Sequence, residues 1–472
     1  MSAEIDEVQS FEFEPRMSAN DALMWSIEKD PLLRSTILMV MVLDRAPDRE
    51  RFTRTMDRAS RLVPRLRQRV LGHPFSIAPP RWEVDANFDL DYHLRWMRAS
   101  GDGTLRELFD IAEPIAMQGF DRARPLWEFT IVDGLQDGHA ALIGKVHHAI
   151  TDGVGGVKLQ MEMLDLERDP VTGDEPMPPA PVAHHPSERE RWGDAIAWQA
   201  GRSLDTVRGA VAGVTGNAGR AVEDPVGVVD GGLRLVGSVA RMLQPAMEPM
   251  SPLMRDRSLS VRFDTLQVDL GRMKRSARLV SGKLNDAFVA GVAGGLRRYH
   301  LHHGHDVRAL RMTMPINIRT ERTATLAGNQ FAPARFPVPM DIEDPIGRMN
   351  AVRELVEEMR NEPALSLTDG LASALVRLPT SATTALFGAM LKGIDFITSN
   401  VPGPPVPVYL GGAQMLRQIA FGPMTGAATN ITLLSFCDDL NIGINTDPAA
   451  VPDPEVFVDC LRDGFDEVIK LV

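Results

Sequence analysis

The segment DPVTGDEPMPPAPVAHHP, Asp169 to Pro186, holds six prolines. Proline fixes φ and supplies no backbone N–H, so so dense a run reads as an extended connector. It splits the 472-residue chain into residues 1–168, a connector at 169–190, and residues 191–472. At about 150 residues per domain the length allows two or three domains. No short internal repeat is visible.

Both halves mix helical and strand periodicities. STILMVMVL (Ser35–Leu43) is a buried-strand pattern, and DRERFTRTMDRASRLV is helical. WEFTIVD, GLQDG and HAALIGKVHH read as two apolar strands joined by a short turn. After Asp152, Val154, Val157, Met161 and Leu164 recur at helical spacing. In the second half, Ser260–Asp269, ALRMTMPINIR and NITLLSFCDDLNIGINTD are strand-like. Asn285–Tyr299 is a helix, and VPDPEVFVDCLRDGFDEVIKLV ends the chain with a proline-started amphipathic helix. The class is α/β or α+β with mixed sheets.

Several functions are excluded early. The longest clean apolar run, near Ile37–Leu43, is far short of the ~20 residues a bilayer span needs. The acidic start MSAEIDEVQSFEFEP has no apolar core and is not a secretory signal. Cys437 and Cys460 form no metal or redox spacing, so a reduced, cytoplasmic protein is expected. A net charge of −12 argues against nucleic acid as the partner. There is no P-loop, GxGxxG, HExxH or Gly-x-Ser-x-Gly elbow.

The chemistry points to GKVHHAITDGVGGVKL, Gly144 to Leu159. Successive strand side chains face opposite ways, so His147 and His148 cannot share a cavity if the strand runs through both. That is poor metal geometry, and it suits one general base beside one structural histidine. Asp152 and Gly153 open the following turn, where a carboxylate can tie the loop down and glycine lets a substrate approach the backbone. A bare His-His pair is weak evidence, because His184-His185 and His302-His303 lack the Asp-Gly partner. HLHHGH has no supporting cysteine or carboxylate set, so no metal site is expected.

The full pattern is more specific. HHAITDG resembles the His-His-x-x-x-Asp-Gly motif of the CoA-dependent acyltransferase superfamily, which includes chloramphenicol acetyltransferase and peptide-synthetase condensation domains. SANDALMW (Ser18–Trp25), PLWE (Pro125–Glu128), LNDAFVAGVAGGLRRYH (Leu284–His300), MPINIR (Met314–Arg319), GNQF (Gly328–Phe331) and SNVPGP (Ser399–Pro404) follow in order. Together they resemble the bacterial wax ester synthase/diacylglycerol acyltransferase family, nearly end to end. The block WSIEKDPLLRST (Trp25–Thr36) departs from the family wording.

The resemblance implies two chloramphenicol-acetyltransferase-like lobes with a tunnel between them. It implies acyl transfer from acyl-CoA to a long-chain alcohol or diacylglycerol, giving wax ester or triacylglycerol. His148 would be the base and His147 its structural neighbour, with no acyl-enzyme and no cofactor beyond acyl-CoA as substrate. The alternative is a divergent relative that binds a lipid or acyl-carrier partner, or uses another acceptor. In related members the aspartate pairs with a distant arginine. VPRLRQRV places Arg67 there, with Arg319 as the runner-up. Asn285, Asp286, Ser399 and Asn400 match blocks expected at the substrate site.

Simpler roles compete for these residues. Asn285 and Asp286 open a helix, where Asn caps and Asp complements the dipole. SNVPGP is a natural turn sequence. Nine Lys or Arg against two Asp between residues 270 and 311 could face CoA phosphates or form a solvated helix face. GGLRLVGSVARML, within Trp192–Met250, is amphipathic. Such a helix can lie on a membrane or lipid-droplet surface, pack on the protein, or join a homodimer. The expected location is therefore cytoplasmic, with peripheral contact to the inner membrane face or lipid droplets.

Overall fold

The computed structural model describes residues 13–72, 78–150, 156, 160–170, 176–184, 187, 189–198, 248–317, 331–360 and 380–472. The first half supplies β1 (Thr36–Leu43), β2 (Gln68–Leu71), β3 (Arg81–Val84), β4 (Leu94–Arg98), β5 (Trp127–Asp133) and β6 (Ala140–His147). The second supplies β7 (Arg262–Asp269), β8 (Ala309–Asn317), β9 (Phe331–Pro339), β10 (Phe396–Pro402), β11 (Tyr409–Leu410), β12 (Ala413–Phe421), β13 (Thr429–Phe436) and β14 (Asp439–Thr446).

Helix starts follow short polar side chains that accept otherwise orphan N–H groups. Ser18 caps Ala19–Ile27, Asp48 caps Arg49–Leu62, Thr104 caps Leu105–Met117, and Asp269 caps Leu270–Arg278. The last helix, Pro454–Ile469, has proline in its first turn, where the missing N–H costs nothing.

Two six-stranded sheets carry the fold, in the orders β11-β12-β1-β6-β5-β4 and β7-β14-β13-β10-β8-β9. Both are mixed, as expected. The first is antiparallel except for β4 beside β5, and the second has β10 parallel to both β8 and β13. The connector divides the chain but not the sheets. β12 pairs with β1, Met41 opposite Gln418, so the second half completes the first lobe's sheet. Arg168 reinforces that junction, donating to Asp44 at 2.7 Å and to the Gly412 carbonyl at 3.0 Å. The connector lies along the helix Arg49–Leu62, where Arg61 donates to the Pro178 carbonyl at 3.0 Å. The following helical stretch, 189–198, docks back on the first lobe, its Asp194 binding Arg81 at 2.6 Å and also Arg16.

Two sequence expectations need correction. SNVPGP is not a turn from its start: β10 continues to Pro402. Asn285 is not the cap of Leu284–His302. Lys283 holds that position, and Asp286 accepts its backbone N–H at 2.6 Å.

The second lobe's core centres on Leu284–His302 against Pro454–Ile469. A Cβ at Gly464 would lie 2.4 Å from both the Gly291 carbonyl oxygen and the Gly295 nitrogen. The helices therefore cross at backbone contact. Gly464→Val should cost at least ~1–3 kcal/mol through overpacking. Urea unfolding checks this, and an unchanged midpoint would show that the crossing can open freely.

Candidate active site

β6 delivers the histidines. Its last pair is His147 opposite Thr36 on β1. The strand ends there, one residue short of the expected end, and His148 begins a turn. Its N–H donates to the Ser35 carbonyl at 2.9 Å, and the Ile150 N–H donates to the His147 carbonyl at 3.0 Å. The two histidines thus differ by more than strand alternation: one is in the ladder and one is on the turn.

His147 is fully buried. Its Nδ1 accepts from the Ala149 N–H at 2.9 Å, so the ring proton sits on Nε2, which donates to Glu28 Oε1 at 2.8 Å. Trp25 and Phe120 pack against the ring in T-shaped contacts, with centroids at 5.5 and 5.9 Å. Both ring nitrogens are committed, which leaves neither for proton transfer with a substrate. His148 is only partly buried.

Glu28 follows the helix Ala19–Ile27 as its C-cap residue. Its Oε1 also accepts the Ser35 N–H at 2.7 Å, and Arg122 approaches the other oxygen at 3.9 Å. Burial alone would raise its pKa. The hydrogen bond from the His147 ring, the Ser35 N–H and the nearby Arg122 outweigh burial and hold the carboxyl below its usual range. Glu28 is the site residue that sequence reasoning missed. Its only signal was that it lies in the block WSIEKDPLLRST, where the wording departs from the family.

Lys145 lies two residues before His147 on the same face of β6, opposite Leu38 and Glu128. Its side chain is fully buried. Among the described residues a cavity of about 80 Å³ is lined by neither histidine, nor by Glu28 or Lys145. Thr36, Leu38 and Met117 line one wall, and Arg257, Phe263 and Asn445 the other.

Arg67 donates to Asp57 at 2.6 Å and to Ser60 at 3.0 Å, and it lies over the Phe88 ring. Asp152, Gly153 and Arg319 lie outside the described residues. Asn285 turns its amide toward the Met314 sulfur at 3.2 Å. Ser399 is half-buried and Asn400 exposed on β10. Of these residues, the histidine pair is the one whose setting has acid–base geometry.

Residues 17–288 match the wax ester synthase/diacylglycerol acyltransferase catalytic domain, and residues 327–469 match the C-terminal domain of the same proteins. The chain belongs to the wax ester synthase/diacylglycerol acyltransferase family. A Mycobacterium tuberculosis protein named "Putative diacyglycerol O-acyltransferase" is 40% identical over 464 residues, covering 97% of this chain and 93% of its own. A second of that name and organism is 29% identical over 475 residues, covering 96% and 97%. Among solved structures, the wax ester synthase/diacylglycerol acyltransferase from Marinobacter aquaeolei VT8 superposes with a TM-score of 0.61 at 21% identity, covering 96% of this chain and 98% of that one. The first condensation domain of the CDA synthetase gives 0.62 at 18% identity, covering 96% of each. The wax ester synthase/diacylglycerol acyltransferase family thus shares its two-lobe fold with condensation domains.

Proposed function

We propose that this chain is an acyl-CoA-dependent O-acyltransferase that moves a long-chain acyl group to a long-chain alcohol or diacylglycerol. The observation that carries the reading is the division of labour in the histidine pair. His147 has both nitrogens tied to Glu28 and Ala149, while His148 sits on the turn that this latch shapes. In this reading His148 takes the proton of the acceptor hydroxyl. The oxygen attacks the thioester carbonyl, the carbon–sulfur bond breaks, and the leaving thiolate takes the proton from His148. One base serves both halves, so no acyl-enzyme and no prosthetic group is needed.

Among the described residues no helix is long and apolar enough to cross a membrane. Trp192 and Ile196 are 44% and 65% exposed on the stretch that Asp194 anchors. That exposed pair supports contact with a lipid surface, the source of both proposed acceptors. Free-thiol release tests the function with acyl-CoA of varied length and a panel of acceptors. Turnover should rise with acyl length and require a lipid alcohol or diacylglycerol. Preference for acetyl-CoA with small polar amines would reject the acceptor class. Silence with every acceptor in folded protein would favour a relative that only binds a lipid or acyl-carrier partner.

A further inference from the structure

Among the described residues Lys145 is a buried cation without a hydrogen-bonding partner. Its side chain has no exposed surface, and its Nζ has no hydrogen-bond acceptor among the described residues. The carboxylate opposite it on β5, Glu128, is engaged by Arg95 from β4. What Nζ does touch is the face of Phe120, 4.4 Å from the ring centroid. The same ring packs at a steep angle against His147, with centroids 5.9 Å apart. Burying an ammonium without an acceptor opposes folding, so a lysine kept there points to function.

We propose that Lys145 is a positioning residue for the base: its ammonium pins Phe120 against His147, and so fixes the turn that carries His148. The inference rests on the reading of His148 as the base. The route is physical at each link. Lys145 holds the ring face, and the ring confines His147. His147 Nδ1 then holds the Ala149 N–H, next to His148. The charged and titratable groups around Lys145 are Glu128 on β5, Arg95 on β4, Arg34 ahead of β1, and His147 further along β6. Burial pushes the ammonium down from the usual lysine range, with Glu128 opposing and Arg95 and Arg34 adding to the shift. The pin is therefore released at a lower pH than for a surface lysine.

The test is Lys145→Met, which keeps length and removes charge, measured with acyl-CoA and a lipid alcohol. Loss of alignment should lower kcat about 10-fold to 100-fold with KM for acyl-CoA unchanged. Thermal stability should hold or rise, since a buried charge has been removed. The wild type should lose kcat as pH rises through the lowered lysine value, and the variant should lack that alkaline limb. Phe120→Leu should reproduce both effects, and the double variant should be no worse than either single one. It also supplies the test if Lys145→Met does not fold. Unchanged kcat in either variant, or kcat and melting temperature falling together with the alkaline limb retained, overturns the proposal. His148→Ala, run beside them, separates the two ideas: wild-type turnover in that variant rejects the base assignment itself, whatever Lys145 does.

Discussion

His148→Ala should lower turnover by roughly 10²–10⁴-fold, the usual worth of a positioned general base. The fold should survive, because His148 is only partly buried and its backbone N–H, not its ring, bonds Ser35. His147→Ala should behave differently. It leaves the buried Ala149 N–H without its acceptor, a loss of about 1–3 kcal/mol. Its effect on rate should follow the loss of the turn's shape and appear with a lower melting temperature. Steady-state kinetics and thermal unfolding of both variants separate the roles. If His147→Ala were silenced while fully stable, and His148→Ala stayed active, the assignment would be reversed.

Glu28→Ala should be among the most destabilising single changes in the first lobe. Glu28 Oε1 accepts from both the His147 ring and the Ser35 backbone. Its removal leaves two donors without their acceptor, each costing about 1–3 kcal/mol where buried. Activity should fall with stability, since Ser35 is also the residue whose carbonyl holds the His148 N–H. Glu28→Gln keeps a carbonyl oxygen and should be milder on both counts. The pH dependence has a definite sign. The folded protein holds the Glu28 carboxyl below the ordinary value of 4.5. Its contribution is therefore complete above that value and is lost as pH falls through the lowered one. Melting temperatures between pH 7 and pH 3 should show a shallower acid limb in Glu28→Gln than in wild type. Equal limbs would place the acid sensitivity elsewhere.

Some of this molecule was legible in one dimension. The runs TILMVMVL and WEFTIVD, and the alternation around HAALIGKVH, identify their strands because apolar runs and short turns are local signals. Asn285 misled because an Asn before Asp at a helix start reads as a cap, while the helix began one residue earlier. The histidine pair was legible as a contiguous motif, and the family through that motif together with the ordered blocks around it.

The sequence by itself determined the element types, the mixed α/β class and the histidine pair, since each depends on residues within a few positions of one another. Tertiary structure alone decided that β12, from beyond the connector, completes the first sheet, because pairing a strand across hundreds of residues leaves no local periodicity. It also decided that Glu28 and not a nearer acid holds His147, 119 residues away. A carboxylate after a helix looks like any other until folding removes it from water and leaves a histidine as its partner.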